Sequence, residues 1–395
     1  MPDHPNQPRE YDAVLGSQAP TLSSSVVLGG IEGVKRRLAS PVEEQRIAAL
    51  SEALNYGTAG LDLVIQALKN ESGQVQQSAY FLLGERAEPN VKQALQNYNP
   101  YQNFNCLRTL TGHSDKVSSI TISPDGQMLV SGGWDRTLKF WNLHTGELLR
   151  TIERYPDWVN CVTISPDGQM LLSGSWDGSI KLWNLHTGEH RSTLEAHSNK
   201  VNSLAISPDN LTLISGGGDN TIKLWNLHTG QLLHTLKRHF KKVNSVAISA
   251  DGQTIASASK DKTIKLWNLH AGELTSTLEG HPNNVNSVAI SADGQIIASA
   301  SVDRTIKLWN LHTGKLLRTL KGHSDTVYTV TISPNGQLLV SGSRDRTIKF
   351  WNLRSGELLY TLEGHSDAVY AVAMTRDGQI VVSSSYLEIK VWGVR

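Results

Sequence analysis

Between residues 104 and 395 the chain is written in short apolar alternations separated by turn residues. Runs such as VSSITIS, QMLVSGG, TLKFWNL and ELLRTIE bring apolar side chains back to one face at the period of a pleated strand. The turns between them carry Pro-Asp-Gly and Thr-Gly, where Pro presets φ and Gly supplies the positive φ of a tight reversal. Four strands joined this way predict an antiparallel meander. From about residue 28 to residue 100 the rhythm changes: IEGVKRRL, PVEEQRIAALSEAL, LDLVIQALKN and VQQSAYFLLGER repeat their apolar residues at helical spacing. Ser40-Pro41 reads as a helix start, with Glu43 and Glu44 in the first turn. Residues 1–27, with four Pro and no period, read as a flexible N-terminal segment.

The strand-rich part is a repeat. Trp141, Trp183, Trp225, Trp267, Trp309 and Trp351 are spaced by 42 residues, and Trp392 follows after 41. A fixed period marks a supersecondary unit copied along the chain, and a four-stranded unit cannot bury both its faces unless copies pack around an axis. Seven units predict a seven-bladed β-propeller over residues 104–395. The seventh unit stops after its third strand, while Cys106-Leu107-Arg108-Thr109-Leu110, resembling the fourth strand of other units, precedes unit one. That segment is expected to complete blade seven, so that no sheet edge is left open.

Within each unit a polar set recurs at fixed spacing: His113, Ser131, Asp135, Trp141; His197, Ser215, Asp219, Trp225; His239, Ser257, Asp261, Trp267; His281, Ser299, Asp303, Trp309; His323, Ser341, Asp345, Trp351. With the preceding Gly-His and the Trp, this pattern resembles the WD-repeat (WD40) β-propeller family, of the bacterial type whose blades are nearly identical. Units one to six carry Trp-Asn in place of Trp-Asp. The resemblance implies a buried chain in which Trp bonds Ser, Ser bonds His and His bonds the turn Asp, and it implies no catalysis. A Ser-His-Asp nucleophilic triad would occur once in a cleft, not blade after blade with a Trp attached. Blades two and seven depart: Tyr155 replaces the His in one, and Tyr386 stands at the Asp position of the other after a one-residue deletion, so both networks are in doubt.

The resemblance also implies that the loop after Gly-His and the residue before the turn Asp share one rim, where partners bind. Seven of the ten Trp belong to the repeat. The remaining three, Trp134, Trp158 and Trp176, fall on that rim in adjacent blades, and clustered aromatics are common interface anchors. Trp158 folding inward to fill space around Tyr155 is the structural alternative. Lys116, Lys200, Phe240, Lys242, Lys260, Tyr328, Arg344 and Tyr370 complete the candidate partner-binding rim, which suits an acidic and apolar partner. Lys139, Lys181, Lys223, Lys265, Lys307, Lys349 and Lys390, each two before a Trp, read as stems covering blade sides.

The helical stretch shows a pair of fragments thirty residues apart, Val34, Leu38 and Ala49 against Val64, Leu68 and Ala79, and resembles short HEAT-like repeats. It reads equally as a second binding face or as a cap on the propeller, with Asn99-Pro100-Tyr101 as the hinge. Net charge is +1, with 8 Lys+Arg against 11 Asp+Glu in residues 1–100 and 29 against 25 in the rest, so nothing draws the chain toward nucleic acid or anionic membrane. Cys106 and Cys161 fit neither a disulfide framework nor a zinc spacing and read as packing residues. With no long apolar run, no leader, no metal cluster, no cofactor motif and no catalytic motif, the expectation is a cytoplasmic, monomeric, non-catalytic scaffold. A regulatory or signalling module within a larger complex is the alternative.

Overall fold

The computed structural model describes residues 30–394 apart from 71, 85, 87, 97, 99–102 and 154. The flexible segment 1–27 and the Asn99-Pro100-Tyr101 hinge lie outside the described residues. Seven four-stranded antiparallel sheets form the blades of one propeller. Blade 1 runs Val117–Ile122, Met128–Gly133, Leu138–Asn142 and Leu148–Ile152 from the axis outward, and blades 2–6 repeat that order. Blade 7 takes Ala371–Met374, Val381–Ser384 and Glu388–Val394 from the end of the chain and its outer strand, Phe104–Thr111, from before blade 1. Cys106 pairs with Trp392 and Thr109 with Lys390 in that junction. The closing strand is longer than the expected Cys106–Leu110.

Local chemistry explains where strands stop. The Asn after each repeat Trp ends the third strand because its side chain serves the next turn: Asn142 Oδ1 accepts the backbone N–H groups of His144 and Thr145 at 2.9 and 2.8 Å, and Asn184, Asn226, Asn310 and Asn352 do the same. This is an Asx turn, and Gly146, at φ 78°, closes it in the left-handed region. An amide performs this role as well as a carboxylate, which accounts for Trp-Asn in place of Trp-Asp.

The apolar cores lie between blades. Val130, Leu138 and Phe140 of blade 1 pack with Val159, Val162 and Trp183 of blade 2, and equivalent clusters fill all seven junctions, including blade 7 to blade 1. Inner-strand side chains stitch the same junctions. Asn160, Asn202, Asn244 and Asn286 each donate an amide hydrogen to a Val carbonyl of the following blade at 2.7–2.9 Å, and Ser118 does so with its hydroxyl. These residues occupy the fifth place after the network His or Tyr155, and in the structure they clamp blades rather than face a partner.

Of the seven repeated lysines, Lys139, Lys265, Lys307 and Lys349 are buried and the other three are partly buried, and most of their ammonium groups find a Thr partner. Lys139, Lys265, Lys307, Lys349 and Lys390 donate to an outer-strand Thr at 2.8–3.2 Å.

Among the described residues five helices precede the propeller: α1 Ile31–Leu38, α2 Glu43–Ala53, α3 Gly57–Ala67, α4 Gly73–Gly84 and α5 Pro89–Gln96, with a 3₁₀ turn Leu54–Tyr56 between α2 and α3. Val34, Ala49, Val64, Leu68 and Ala79 are buried in one core, with Leu38 packed against it. Two sequence expectations need correction. The helix expected to start at Ser40-Pro41 begins at Glu43, because Ser40 Oγ accepts the Val42 N–H at 3.1 Å and holds residues 40–42 in a turn. The fifth helix was not expected; PNVKQALQ is short and polar, and Pro89 at its first position was the only cue. The helices rest on the propeller: α4 touches the third strand of blade 7, and Gln337 Nε2, in a loop opposite the rim, donates to Gly84 O at 2.6 Å.

Candidate functional site

The rim is held by the repeated polar chain. In blade 1 the Trp141 indole N–H donates to Ser131 Oγ at 2.9 Å, His113 Nε2 lies 2.7 Å from the same oxygen, and His113 Nδ1 lies 2.7 Å from Asp135 Oδ2. Blades 3, 4, 5 and 6 repeat this chain through His197, Ser215, Asp219, Trp225; His239, Ser257, Asp261, Trp267; His281, Ser299, Asp303, Trp309; and His323, Ser341, Asp345, Trp351, with every link between 2.6 and 3.0 Å. Asp135 then ties the two rim loops together, accepting the N–H of Ser114 at 3.1 Å and of Thr137 at 3.1 Å. Ser131, Ser215, Ser257, Ser299 and Ser341 have no exposed surface, so none can attack a substrate.

The chain also fixes a pH response. Burial alone would raise the Asp303 carboxyl, but hydrogen bonds from His281 and Thr305 outweigh it and hold the group down at about 2. Asp135, Asp219, Asp261 and Asp345 are lowered by the same balance. A carboxyl depressed in the folded state stabilises the fold above its unfolded value, near pH 4, and that contribution is lost as pH falls through the folded value. Unfolding midpoints in urea are expected to be flat from pH 7 to about 5 and to drop between about pH 4 and 2. Asp303→Asn should start lower at neutral pH and show a shallower acid drop; an unchanged slope would contradict this origin.

Blade 7 overturns one doubt raised by the sequence. Its network is complete, because Glu388 takes the place of the missing Asp: His365 Nδ1 lies 2.8 Å from Glu388 Oε1, His365 Nε2 2.6 Å from Ser383 Oγ, and Trp392 donates to Ser383 at 2.7 Å. Glu388 opens the third strand, two residues beyond Tyr386, and its extra methylene spans the difference. In blade 2 the chain ends early. The Tyr155 hydroxyl bonds Ser173 Oγ, and Trp183 donates to the same atom at 3.0 Å, while Asp177 serves only the turn, accepting the Ser179 N–H at 2.8 Å.

On the rim the three extra Trp meet. Trp134 and Trp158 stack with centroids 4.3 Å apart and planes 4° from parallel, and Trp176 meets Trp158 edge-on at 4.6 Å. Trp158 thus lies on Trp134, whereas Tyr155 packs against Trp183 below. Cations extend the cluster both ways. Lys116 Nζ sits 4.7 Å from the Trp134 ring centre and 3.7 Å from that of Tyr370, which leans on Tyr328 at 5.4 Å. Lys200 Nζ sits 4.0 Å from the Trp176 ring. The result is one arc, Tyr328, Tyr370, Lys116, Trp134, Trp158, Trp176 and Lys200, crossing blades 6, 7, 1, 2 and 3.

All three arc Trp are half-buried. Burial pushes the Lys116 ammonium down to about 8, with the like charge of Lys200 adding to it and Asp115 and Asp367 opposing; burial and the charges of Lys242 and Lys260 bring Lys200 to about 8. The Trp176 N–H donates to Asn160 Oδ1 at 3.3 Å, so the Asn that clamps blades 2 and 3 also orients the anchor, a role the sequence did not reveal. The Trp134 indole nitrogen is buried and has no hydrogen-bond partner among the described residues.

Of the other expected rim residues, Arg344 lies 3.8 Å from Asp325, and Phe240, Lys242 and Lys260 lie on blade 4, the two lysines within electrostatic reach of Lys200. No group of three or more His, Cys, Asp or Glu among the described residues could hold a metal ion, and no described helix is long and apolar enough to cross a membrane.

Residues 104–142, 314–352 and 356–393 match the WD domain, G-beta repeat, and residues 151–319 match the WDR36/Utp21 second beta-propeller domain. Similar curated proteins include small ribosomal subunit protein RACK1 of Caenorhabditis elegans, 52% identical over 40 residues, which are 10% of this chain and 12% of that protein. Transcriptional repressor tup12 of Schizosaccharomyces pombe is 51% identical over 37 residues, 9% of this chain and 6% of that one. Protein FIZZY-RELATED 1 of Arabidopsis thaliana is 51% identical over 43 residues, 11% and 9%. Each match is about one repeat long and spans a small fraction of the curated relative.

Proposed function

We propose that this chain of WD40 repeats, folded as a seven-bladed propeller, is a non-catalytic protein-interaction scaffold, monomeric and cytoplasmic, that receives its partners on the top rim. The observation that carries this reading is the rim arc: three Trp and two Tyr are packed on one another and on two lysines, half-buried and already in place before a partner arrives. Preformed aromatic anchors lose little side-chain freedom on binding, which is why Trp and Tyr dominate interface energetics. Nucleic acid is disfavoured because the net charge is only +1. The HEAT-like helices on the opposite face offer a second surface. The repressor among the similar proteins supports a second reading, a regulatory module within a larger complex.

The test is affinity capture from host extract with the wild type and with Trp134→Ala/Trp158→Ala/Trp176→Ala, both shown by circular dichroism to be folded. Losing two or three anchors of about 2 kcal/mol each lowers affinity by more than a hundredfold, so wild-type partners should vanish from the variant. A folded variant that retains every partner removes the rim from consideration and directs attention to residues 31–96.

A further inference from the structure

Blade 4 breaks the rim pattern at both of its loops. The residue after the network His, or after Tyr155, is Ser or Pro in six blades (Ser114, Pro156, Ser198, Pro282, Ser324, Ser366) and Phe240 in blade 4. One place further on, Asp115, Asp157, Asn199, Asn283, Asp325 and Asp367 each accept the backbone N–H of the next residue at 2.6–2.8 Å. Blade 4 has Lys241 there, whose side chain can accept nothing, so this loop gives up a local hydrogen bond that every other blade keeps. A local rule broken without structural gain points to function.

The exchange concentrates charge. Lys237, Arg238, Lys241 and Lys242 flank His239 and Phe240, and Lys260 and Lys262 flank the turn Asp261. All but Lys242 are exposed, and among the described residues none of the six is in an ion pair. The one carboxylate between them, Asp261, is taken: it is 2.7 Å from His239 and accepts the Phe240 N–H at 3.1 Å. Across the ring the place of Lys241 is held by Asp325, Asp367, Asp115 and Asp157, so that loop position is basic in blade 4 and carries a carboxylate on the far side.

Phe240 is 85% exposed, the most exposed large apolar side chain among the described residues. It does not sit on a loose loop. Its N–H is pinned by Asp261, Lys260 N–H donates to Lys242 O at 3.0 Å, and Ser259 Oγ donates to Lys241 O at 3.0 Å, so the two loops are bonded together. A ring presented from a fixed backbone is an anchor that sacrifices little entropy on docking.

We propose that the two rim loops of blade 4 form a second docking point that takes an acidic peptide segment of a protein partner, one of its apolar side chains covering Phe240 while its carboxylates meet Lys241, Lys260 and Lys262. The proposal rests on the reading of the rim as a protein-binding face and adds a site whose chemistry differs from the aromatic arc. A peptide fits better than a nucleic acid. The six cations surround one apolar ring, Phe240, which an apolar side chain of a peptide can cover, and a polyanion running along the rim would also meet Asp325, Asp367, Asp115 and Asp157.

The probe is a fluorescein-labelled peptide of about twelve residues, rich in Asp and Glu and containing Leu, read by anisotropy on the full chain. Its controls are the same peptide with Lys for its acidic residues and a single-stranded oligothymidine. The acidic peptide should bind with an affinity that falls as salt rises, and the Lys-substituted peptide should not bind. Lys241→Glu/Lys260→Glu/Lys262→Glu should weaken the acidic peptide at least tenfold and Phe240→Ala several-fold, and Trp158→Ala should leave it unchanged. Equal binding by the charge-reversed protein, no binding of the acidic peptide to wild type, or a preference for oligothymidine overturns the proposal. Peptide binding that survives Trp158→Ala while the cellular partners of the triple Trp variant persist would sink the aromatic-arc reading and leave this site standing.

Discussion

Phe104→Ala/Leu110→Ala is expected to abolish the cooperatively folded propeller. Both residues belong to the strand that blade 7 borrows from before blade 1, and each enters a different junction. Phe104, 2% exposed, packs against Phe350, Leu338 and Trp392 between blades 6 and 7; Leu110, 5% exposed, packs with Val117, Leu129 and Trp141 between blades 7 and 1. They lie about 20 Å apart along the strand, far enough for their effects to add. A buried Phe→Ala costs about 3–5 kcal/mol and a buried Leu→Ala about 2–5 kcal/mol, together most of the 5–15 kcal/mol that holds a typical domain. Freeing that strand also exposes the edge of Glu388–Val394 for intermolecular pairing. Urea titration by circular dichroism and size-exclusion chromatography should show lost cooperativity and aggregation, with either single variant folded at a lower midpoint. A double variant with a wild-type midpoint would mean that the ring does not depend on this strand.

The second large effect is expected at the hub of a polar chain. Ser299 Oγ receives the Trp309 N–H at 2.9 Å and lies 2.8 Å from His281 Nε2, in a site with no exposed surface. Ser299→Ala leaves two buried polar groups without that partner, and such groups cost about 1–3 kcal/mol each, so a loss of about 3 kcal/mol follows. The asymmetry of such penalties makes a sharper claim. Once the hydroxyl is gone, the indole N–H is a liability rather than a donor, so Trp309→Phe should be less damaging in the Ser299→Ala background than in the wild type, by about 1 kcal/mol. Strict additivity in urea unfolding would show that the hydroxyl, indole and imidazole do not act as a unit.

What was readable in the sequence was whatever the period repeated. Trp spacing located the blades, and the strand-like Cys106–Leu110 ahead of unit one pointed to the closure. The three surplus Trp could be recognised only because the other seven were already accounted for. Glu388 was hidden because the deletion in unit seven shifts the alignment and puts Tyr386 in the Asp column, while reach across the turn depends on side-chain length, which position alone does not convey. The clamping role of Asn160, Asn202, Asn244 and Asn286 was hidden because a strand's alternation says which way a side chain leaves the backbone and not how near the next blade's carbonyl lies. The stacking of Trp134 on Trp158 belongs to the same class: two blades had to be placed side by side before the indoles could meet. In the helical region the buried positions were legible at helical spacing, whereas α5 was not, its only apolar residues being Val91, Ala94 and Leu95.

The central claim is that partners arrive on the rim through the aromatic arc. Placing a photoreactive benzoylphenylalanine at Ser114, exposed in a rim loop of blade 1, and separately at Gln253, exposed in a loop of blade 4 on the opposite face, and irradiating each protein in its host tests this directly. Specific adducts from Ser114 that disappear in the Trp134→Ala/Trp158→Ala/Trp176→Ala background, with none from Gln253, are the predicted result. Adducts from Gln253 alone, or Ser114 adducts indifferent to the three Trp, would contradict it.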